Sequence, residues 1–226
     1  MRVLDTVRMG RRWTWALAAA VAVGTLTGCG SGGTEGDDGG DAAETPTSID
    51  AALLECGDTA DADSTMPLTD LDLTTAEWAM PEGFVETFRY SEDKPVEHID
   101  SFWAAEPETD PVPRNVLTVV VYTRLDWGED IDECGRVPIA AVDERLASYR
   151  EGNDAEPLTE ETTTEIAGLP ALEQDLVLDE YSYRGYWVFG RDQMIHLYCQ
   201  WTSDAERDRV LTGCDDLVAS LEVADA

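Results

Sequence analysis

The stretch Asn115-Val116-Leu117-Thr118-Val119-Val120-Val121-Tyr122 decides the fold. Its β-branched side chains fit a pleated backbone and crowd a helical one, so the run reads as a strand. It is almost continuously apolar, without an alternating polar face, which is the pattern of a central position in a sheet. Toward the C-terminus, Pro138 opens a helix in which Ile139, Val142, Leu146 and Tyr149 recur at helical spacing, closed by Gly152. Beyond it the pattern turns strand-like. Residues 158–167 and 171–178 form one hairpin about a Gly168-Leu169-Pro170 turn, and 183–189 and 194–201 form another across Gly190-Arg191-Asp192-Gln193. The chain closes in an amphipathic helix. Ser203 and Glu206 have capping-box spacing, and Val210, Cys214, Leu217 and Leu221 make its apolar stripe.

Toward the N-terminus, residues 68–73 and 84–90 read as strands joined through a Pro81-Glu82-Gly83 turn. Residues 91–114 are rich in Pro and acids and are expected to form a long excursion, with Phe102-Trp103 tucked against the domain. Residues 49–56 could make a short helix. The economical solution is an α+β domain, an antiparallel β-sheet flanked by helices.

The order of elements and several local phrases resemble the Mog1p/PsbP-like α/β/α sandwich, and most closely the LpqN/LpqT-type lipoproteins of actinobacterial envelopes. The phrases are Met80-Pro81-Glu82-Gly83-Phe84, Asn115-Val116-Leu117-Thr118-Val119 and Ile166-Ala167-Gly168-Leu169-Pro170-Ala171. With residues 186–201 and the closing helix they cover most of 68–223. The resemblance implies a non-enzymatic module in envelope or membrane-associated assemblies. It brings no catalytic residues to carry over.

The whole chain has 226 residues, 43% of them hydrophobic, with 15 Lys+Arg against 48 Asp+Glu and a formal charge of −33. A surface this negative repels phosphate backbones and anionic headgroups, which excludes generic nucleic-acid binding and direct adsorption to lipid. Only Lys94 among the basic residues is lysine, a bias that suits a GC-rich genome.

Residues 1–28 read as an export signal. Arg2, Arg8, Arg11 and Arg12 form a basic start, and the apolar stretch that follows is shorter than the roughly 20 residues of a spanning helix. The stretch ends in Leu26-Thr27-Gly28-Cys29, which is similar to the lipobox of bacterial lipoproteins. That resemblance implies cleavage before Cys29 and a diacylglyceryl group, with palmitate-type chains, on its thiol. Two or three acyl chains suffice for stable retention, so the expectation is a tethered protein on the extracytoplasmic side of the cell membrane. Without residues 1–28 the chain keeps 11 basic and 47 acidic residues, a formal charge of −36. Residues 29–47 begin with the lipidated Cys and continue as an acidic, Gly-rich linker with too little apolar surface to fold. Residues 48–226 are the size of one globular domain.

Chemistry-bearing patterns are sparse. His98 lies beside Asp100 and Ser101, but sequence adjacency does not make a triad converge. His196 shares a strand face with Met194 and Tyr198, where a hydrogen-bonded structural histidine is the ordinary reading. Asp61, Asp63, Thr65 and Asp72 have EF-hand spacing, yet Met66 stands where the loop needs Gly. Asp126, Glu129, Asp130, Asp132 and Glu133 are the better cation cluster, and a solvated loop is the simpler account of them. No catalytic, cofactor or metal residues are assigned. Tyr181, Tyr183, Tyr186, Trp187 and Phe189 crowd one strand, with Tyr198 and Trp201 on the next. Half should line the core. The other face is either covered by a helix or offers a groove for an apolar or glycan ligand.

In an exported chain the remaining cysteines should be oxidised. Cys199 shares a strand face with Ile195, Leu197 and Trp201, and Cys214 lies on the closing helix's apolar stripe, so a helix folded back on its own strand pairs them. Cys56 is then left for Cys134. A zinc site is disfavoured because no C-x₂-C spacing occurs. The functional reading is an interaction or ligand-presenting module with envelope partners; an envelope hydrolase with an unrecognised site is the alternative.

Overall fold

A computed structural model describes residues 64–224. The export signal, Cys29, the linker, the 49–56 helix, Cys56, Asp61 and Asp63 lie outside the described residues. The central strand is β4, Val116–Thr123, and its first seven residues are all buried. An unbroken buried run requires cover on both faces, and the structure supplies it.

The elements run β1 (Thr65–Pro67), a 3₁₀ turn (Leu73–Thr75), β2 (Phe84–Glu86), β3 (His98–Pro107), β4, β5 (Arg136–Pro138) and helix α1 (Ile139–Asn153). They continue with β6 (Glu156–Pro157), β7 (Thr162–Ile166), β8 (Leu169–Val177), β9 (Ser182–Phe189), β10 (Gln193–Trp201) and helix α2 (Asp204–Ser220). The large sheet is antiparallel in the order β2-β3-β4-β10-β9-β8-β6, with β7 also paired to β8, and β1 and β5 form a separate ribbon. Helix α2 lies on one face and packs Val210, Cys214 and Leu217 with Leu117, Val119, Ile195 and Leu197. Helix α1 lies on the other and packs Val142 and Leu146 with Val120, Trp187, Phe189 and Met194. The fold is therefore the expected α+β sandwich, with the sheet between helices.

Several sequence expectations change in detail. Residues 68–73 are not a strand. Leu68 donates to the Gly135 carbonyl at 2.9 Å and Thr69 to that of Phe189 at 3.0 Å. The segment crosses the end of the sheet, so Leu68 joins the α1-side core and Leu73 the α2-side core. Nor is 91–114 one excursion, because it contains the ten-residue strand β3. Ile99 pairs with Tyr122 and Ser101 with Val121, leaving Asp100 as a bulge. The extra residue lets Ile99 and Phe102, three positions apart, face the same core. Trp103, on the opposite face, meets Trp78 edge-on at 5.5 Å.

The 158–167 strand reduces to β7, while the preceding β6 pairs with the far end of β8. The β7–β8 turn is Ala167-Gly168, both residues at positive φ (54° and 74°). Two such residues between paired strands give a type I′ turn, so Leu169 and Pro170 belong to the strand. Strand β2 stops at Glu86, short of position 90. Helix α1 runs one residue beyond Gly152 and ends on left-handed Asp154, with Pro138 as its N-cap. Ser203 does occupy the N-cap of α2, but its side chain makes no capping hydrogen bond.

Cys199 and Cys214 are joined as expected, with Cα atoms 5.8 Å apart at a sequence separation of 15. Cys134 is also disulfide-bonded; Cys56, its expected partner, is outside the described residues. The Cys199–Cys214 bond ties α2 to the buried face of β10. Replacing both cysteines by Ala should lower stability by about 3 kcal/mol, the chain-entropy cost of reopening a loop of this length. Denaturant unfolding of the variant against wild type measures it, and a change near zero would mean that packing alone seats α2.

Candidate functional site

Alternation along β9 places Tyr183, Gly185, Trp187 and Phe189 toward α1, and β10 adds Met194, His196 and Tyr198 to the same face. The register sets His196 opposite Trp187 and Tyr198 opposite Gly185. The imidazole stacks on the Trp187 ring, with centroids 5.0 Å apart and planes 12° apart. Tyr198 closes on the imidazole at 5.0 Å and Tyr183 at 6.2 Å. Gly185 makes the stack possible. A Cβ there would come within 2.6 Å of Trp187 Cη2, so the missing side chain is the space the indole occupies.

The cluster floors a cavity of about 50 Å³ lined by Glu92, Tyr122, Tyr181, Tyr183, His196 and Tyr198 among others. A neighbouring cleft of about 290 Å³ shares Glu92, Asn153, Tyr181, Tyr198 and Gln200 with it and extends to Arg114 and Lys94. Asn153, the last residue of α1, marks where the helix stops covering this face. The aromatic face is therefore covered along α1 and open beyond its end.

Burial governs the electrostatics. His196 is 8% exposed, and its Nε2 has no hydrogen-bond partner among the described residues, contrary to the satisfied histidine expected from sequence. Desolvation lowers its pKa to about 3, which keeps the ring neutral. Burial raises the Glu92 carboxyl above its ordinary range; the Tyr198 hydroxyl and the Lys94 backbone offset this in part. Tyr198 donates to Glu92 Oε2 at 3.0 Å. Tyr122, Tyr181, Tyr183 and Tyr198 are all raised, first by burial, with the Glu92 charge contributing to each.

The other sequence candidates do not converge. His98 is exposed at one end of β3, with Nδ1 3.3 Å from Thr123 Oγ1. Asp100 is the bulge and Ser101 pairs in the sheet, so no triad forms. In the acid cluster, Asp126 accepts from the Gly128 N–H, and Asp132 from those of Cys134 and Arg136, which staples the loop. Asp72 caps the 3₁₀ turn by accepting from the Thr74 N–H, and Thr65 is in β1. Among the described residues no group of three or more His, Cys, Asp or Glu is placed to hold a metal. Sequence reasoning found the aromatic strand and His196 but not Glu92, one acid among 48 Asp+Glu.

No family model matches the chain, and no curated protein does. Among solved structures it is similar to cyanobacterial PsbP (CyanoP) from Synechocystis sp. PCC 6803, at 14% identity and a TM-score of 0.45, covering 71% of this chain and 93% of that one. It is also similar to a crystal structure from Bacteroides thetaiotaomicron VPI-5482, at 8% identity and a TM-score of 0.39, covering 67% of this chain and 46% of that one.

A histidine buried neutral has a signed effect on stability. Between its ordinary value of 6.5 and about 3, the unfolded chain binds the proton and the folded chain does not. Stability from this site therefore falls as pH drops through that window. His196→Phe keeps an aromatic ring against Trp187 and removes the titration. Its unfolding free energy should decline less steeply than wild type on acidification, and equal slopes would place the acid sensitivity elsewhere.

Proposed function

We propose that the chain is a lipid-anchored extracytoplasmic lipoprotein whose folded part is a non-enzymatic interaction or ligand-presenting module at the cell envelope. The observation that carries the non-catalytic part is the setting of His196. A general base works best with a pKa near the operating pH and with a proton donor in reach. His196 has neither, being stacked on Trp187, ringed by tyrosines and held neutral far below that range. His98, the other imidazole, makes a hydrogen-bond contact with Thr123 on an exposed strand end, away from the cleft. The open end of the aromatic face supplies the ligand-sized recess that a presenting module needs. The anchoring part rests on the lipobox at Cys29, the acidic linker after it, and the resemblance to LpqN/LpqT-type envelope lipoproteins.

Two measurements test the two parts. Wild type should partition with membranes and incorporate labelled fatty acid, while Cys29→Ser is released or kept as uncleaved precursor; equal labelling of both removes the anchor. Against generic ester, peptide and glycoside substrates, wild type, His98→Ala and His196→Ala should show no histidine-dependent turnover. Turnover lost in either variant would make the protein an enzyme.

A further inference from the structure

Strand β7, Thr162–Ile166, pairs with β8 along one side, and no other strand among the described residues pairs with its second side. Alternation fixes which groups that open side presents. Ile166 and Leu169 flank the two-residue turn as a hydrogen-bonded pair, so Glu165–Pro170 and Thr163–Leu172 are the non-bonded pairs. Pro170 fits this, having no N–H to give. The N–H and C=O of Thr163 and Glu165 therefore point outward, away from β8. The strand carries neither Pro nor Lys, the usual guards of an edge, and Thr162, Thr163 and Glu165 are exposed.

Beside this edge, helix α1 and the sheet enclose a groove of about 510 Å³. Ile139 and Leu172 line it with hydrocarbon, and Thr163 stands on its sheet side. Asp143 of α1 meets Glu161, the residue before β7, in a hydrogen bond that takes a shared proton. Burial first, and then Asp143, push the Glu161 carboxyl up to about 7, and the Arg150 charge offsets this in part. Arg150 is the one cation lining the groove; it lies 3.7 Å from Glu161 and donates to Gln174 Oε1 at 2.9 Å. One guanidinium against two carboxylates leaves the groove short of positive charge whenever Glu161 is ionised.

An open strand edge can take an added strand, and a groove between that edge and a helix can take the added strand's alternate side chains. We propose that β7 is a docking edge for an extended, basic segment of another protein, which pairs antiparallel with Thr163 and Glu165 and lays alternate Lys or Arg side chains into the α1 groove against Asp143 and Glu161. Charge chooses this occupant. A second copy would set Glu161 and Glu165 of one edge against those of the other, between chains of formal charge −33. Residues 30–63 of this chain carry acids and no Lys or Arg, so they are repelled in the same way. The inference names a partner class for the interaction-module reading and rests on it, but not on the anchor at Cys29.

The probe is the capped peptide acetyl-Lys-Thr-Lys-Val-Lys-Thr-amide, titrated calorimetrically into the full chain in detergent. One control has its lysine amides N-methylated, which removes the N–H groups that bond to β7; another has Glu in place of each Lys. Thr163→Pro removes an outward N–H from the edge without taking a bond from β8. The lysine peptide should bind saturably, and at least tenfold more weakly to Thr163→Pro and to the double variant Asp143→Asn/Glu161→Gln. Both control peptides should bind wild type at least tenfold more weakly. Wild-type affinity should fall from about pH 8 to about pH 5.5 as Glu161 takes up its proton, and the double variant should lose that slope. Should Thr163→Pro fail to fold, the N-methylated peptide decides the edge pairing. No saturable binding, or unchanged affinity and slope in the double variant, would overturn the proposal. Equal binding of the N-methylated peptide would mean that the acidic surface attracts any polycation, and overturns it too. A dimer of the peptide-free chain in sedimentation, dissociated by Thr163→Pro, would give the edge to a second copy instead. Each of these failures leaves the non-enzymatic module standing, since that reading falls on turnover and not on peptide binding.

Discussion

The structure depends on one constraint: β4 and β10, paired at the middle of the sheet, are buried on both faces. Each residue from Val116 to Tyr122 is excluded from water, and its register partners on β10 are buried with the exception of the half-exposed Tyr198. A strand pair of this kind cannot sit at a solvent-facing surface, because alternate side chains on both sides would expose hydrocarbon. Both helices follow from it. So does the covalent bond between Cys199 and Cys214, which fastens α2 to β10, the strand that most needs that cover. Gly213 shows how closely the helix approaches, since a Cβ there would lie 2.3 Å from the Phe84 ring.

The central strand, both hairpins, both helices and the Cys199–Cys214 pairing were legible because each is written in local periodicity. What was hidden is equally physical. The bulge at Asp100 breaks the alternation of β3, so Ile99 and Phe102 share a face while their spacing says otherwise. Residues 68–73 look like a strand because leucines recur, yet those leucines feed two different cores. The type I′ turn at Ala167-Gly168 was displaced by one residue in the reading because Ala is an uncommon choice at positive φ.

The site was half legible for a related reason. Aromatic crowding on β9 and the face of His196 follow from period-two alternation. The partners of those residues do not, because Glu92 arrives from the segment before β3 and Asn153 from the end of α1. Burial inverted the sequence expectation for His196. A polar ring on a strand face normally finds a donor or acceptor, but here the rings of Tyr183, Trp187 and Tyr198 crowd around it. Stacking satisfies the ring's faces and leaves Nε2 unserved.

The asymmetry between the two faces of the sheet explains why the tyrosine-lined cleft lies on the α1 side. Helix α2 starts directly after β10, at Asp204, and runs back along it for 17 residues, bonded in place by Cys214. Helix α1 reaches its face by way of the β1–β5 ribbon, spans 15 residues and turns out of the helix at left-handed Asp154. Beyond that point the strands still carry large side chains, and no third helix follows to cover them among the described residues. Tyrosine suits such a margin because one end of its ring is apolar and the other can meet water or a carboxylate. The segment carrying Glu92 and Lys94 then folds over the margin, with Lys94 bonded to Asp154 at the helix end. Closure by that ion pair leaves Glu92 half-buried beneath the segment, where its carboxylate accepts from the Tyr198 hydroxyl, so the margin ends in a polar contact and not in a continuation of the core.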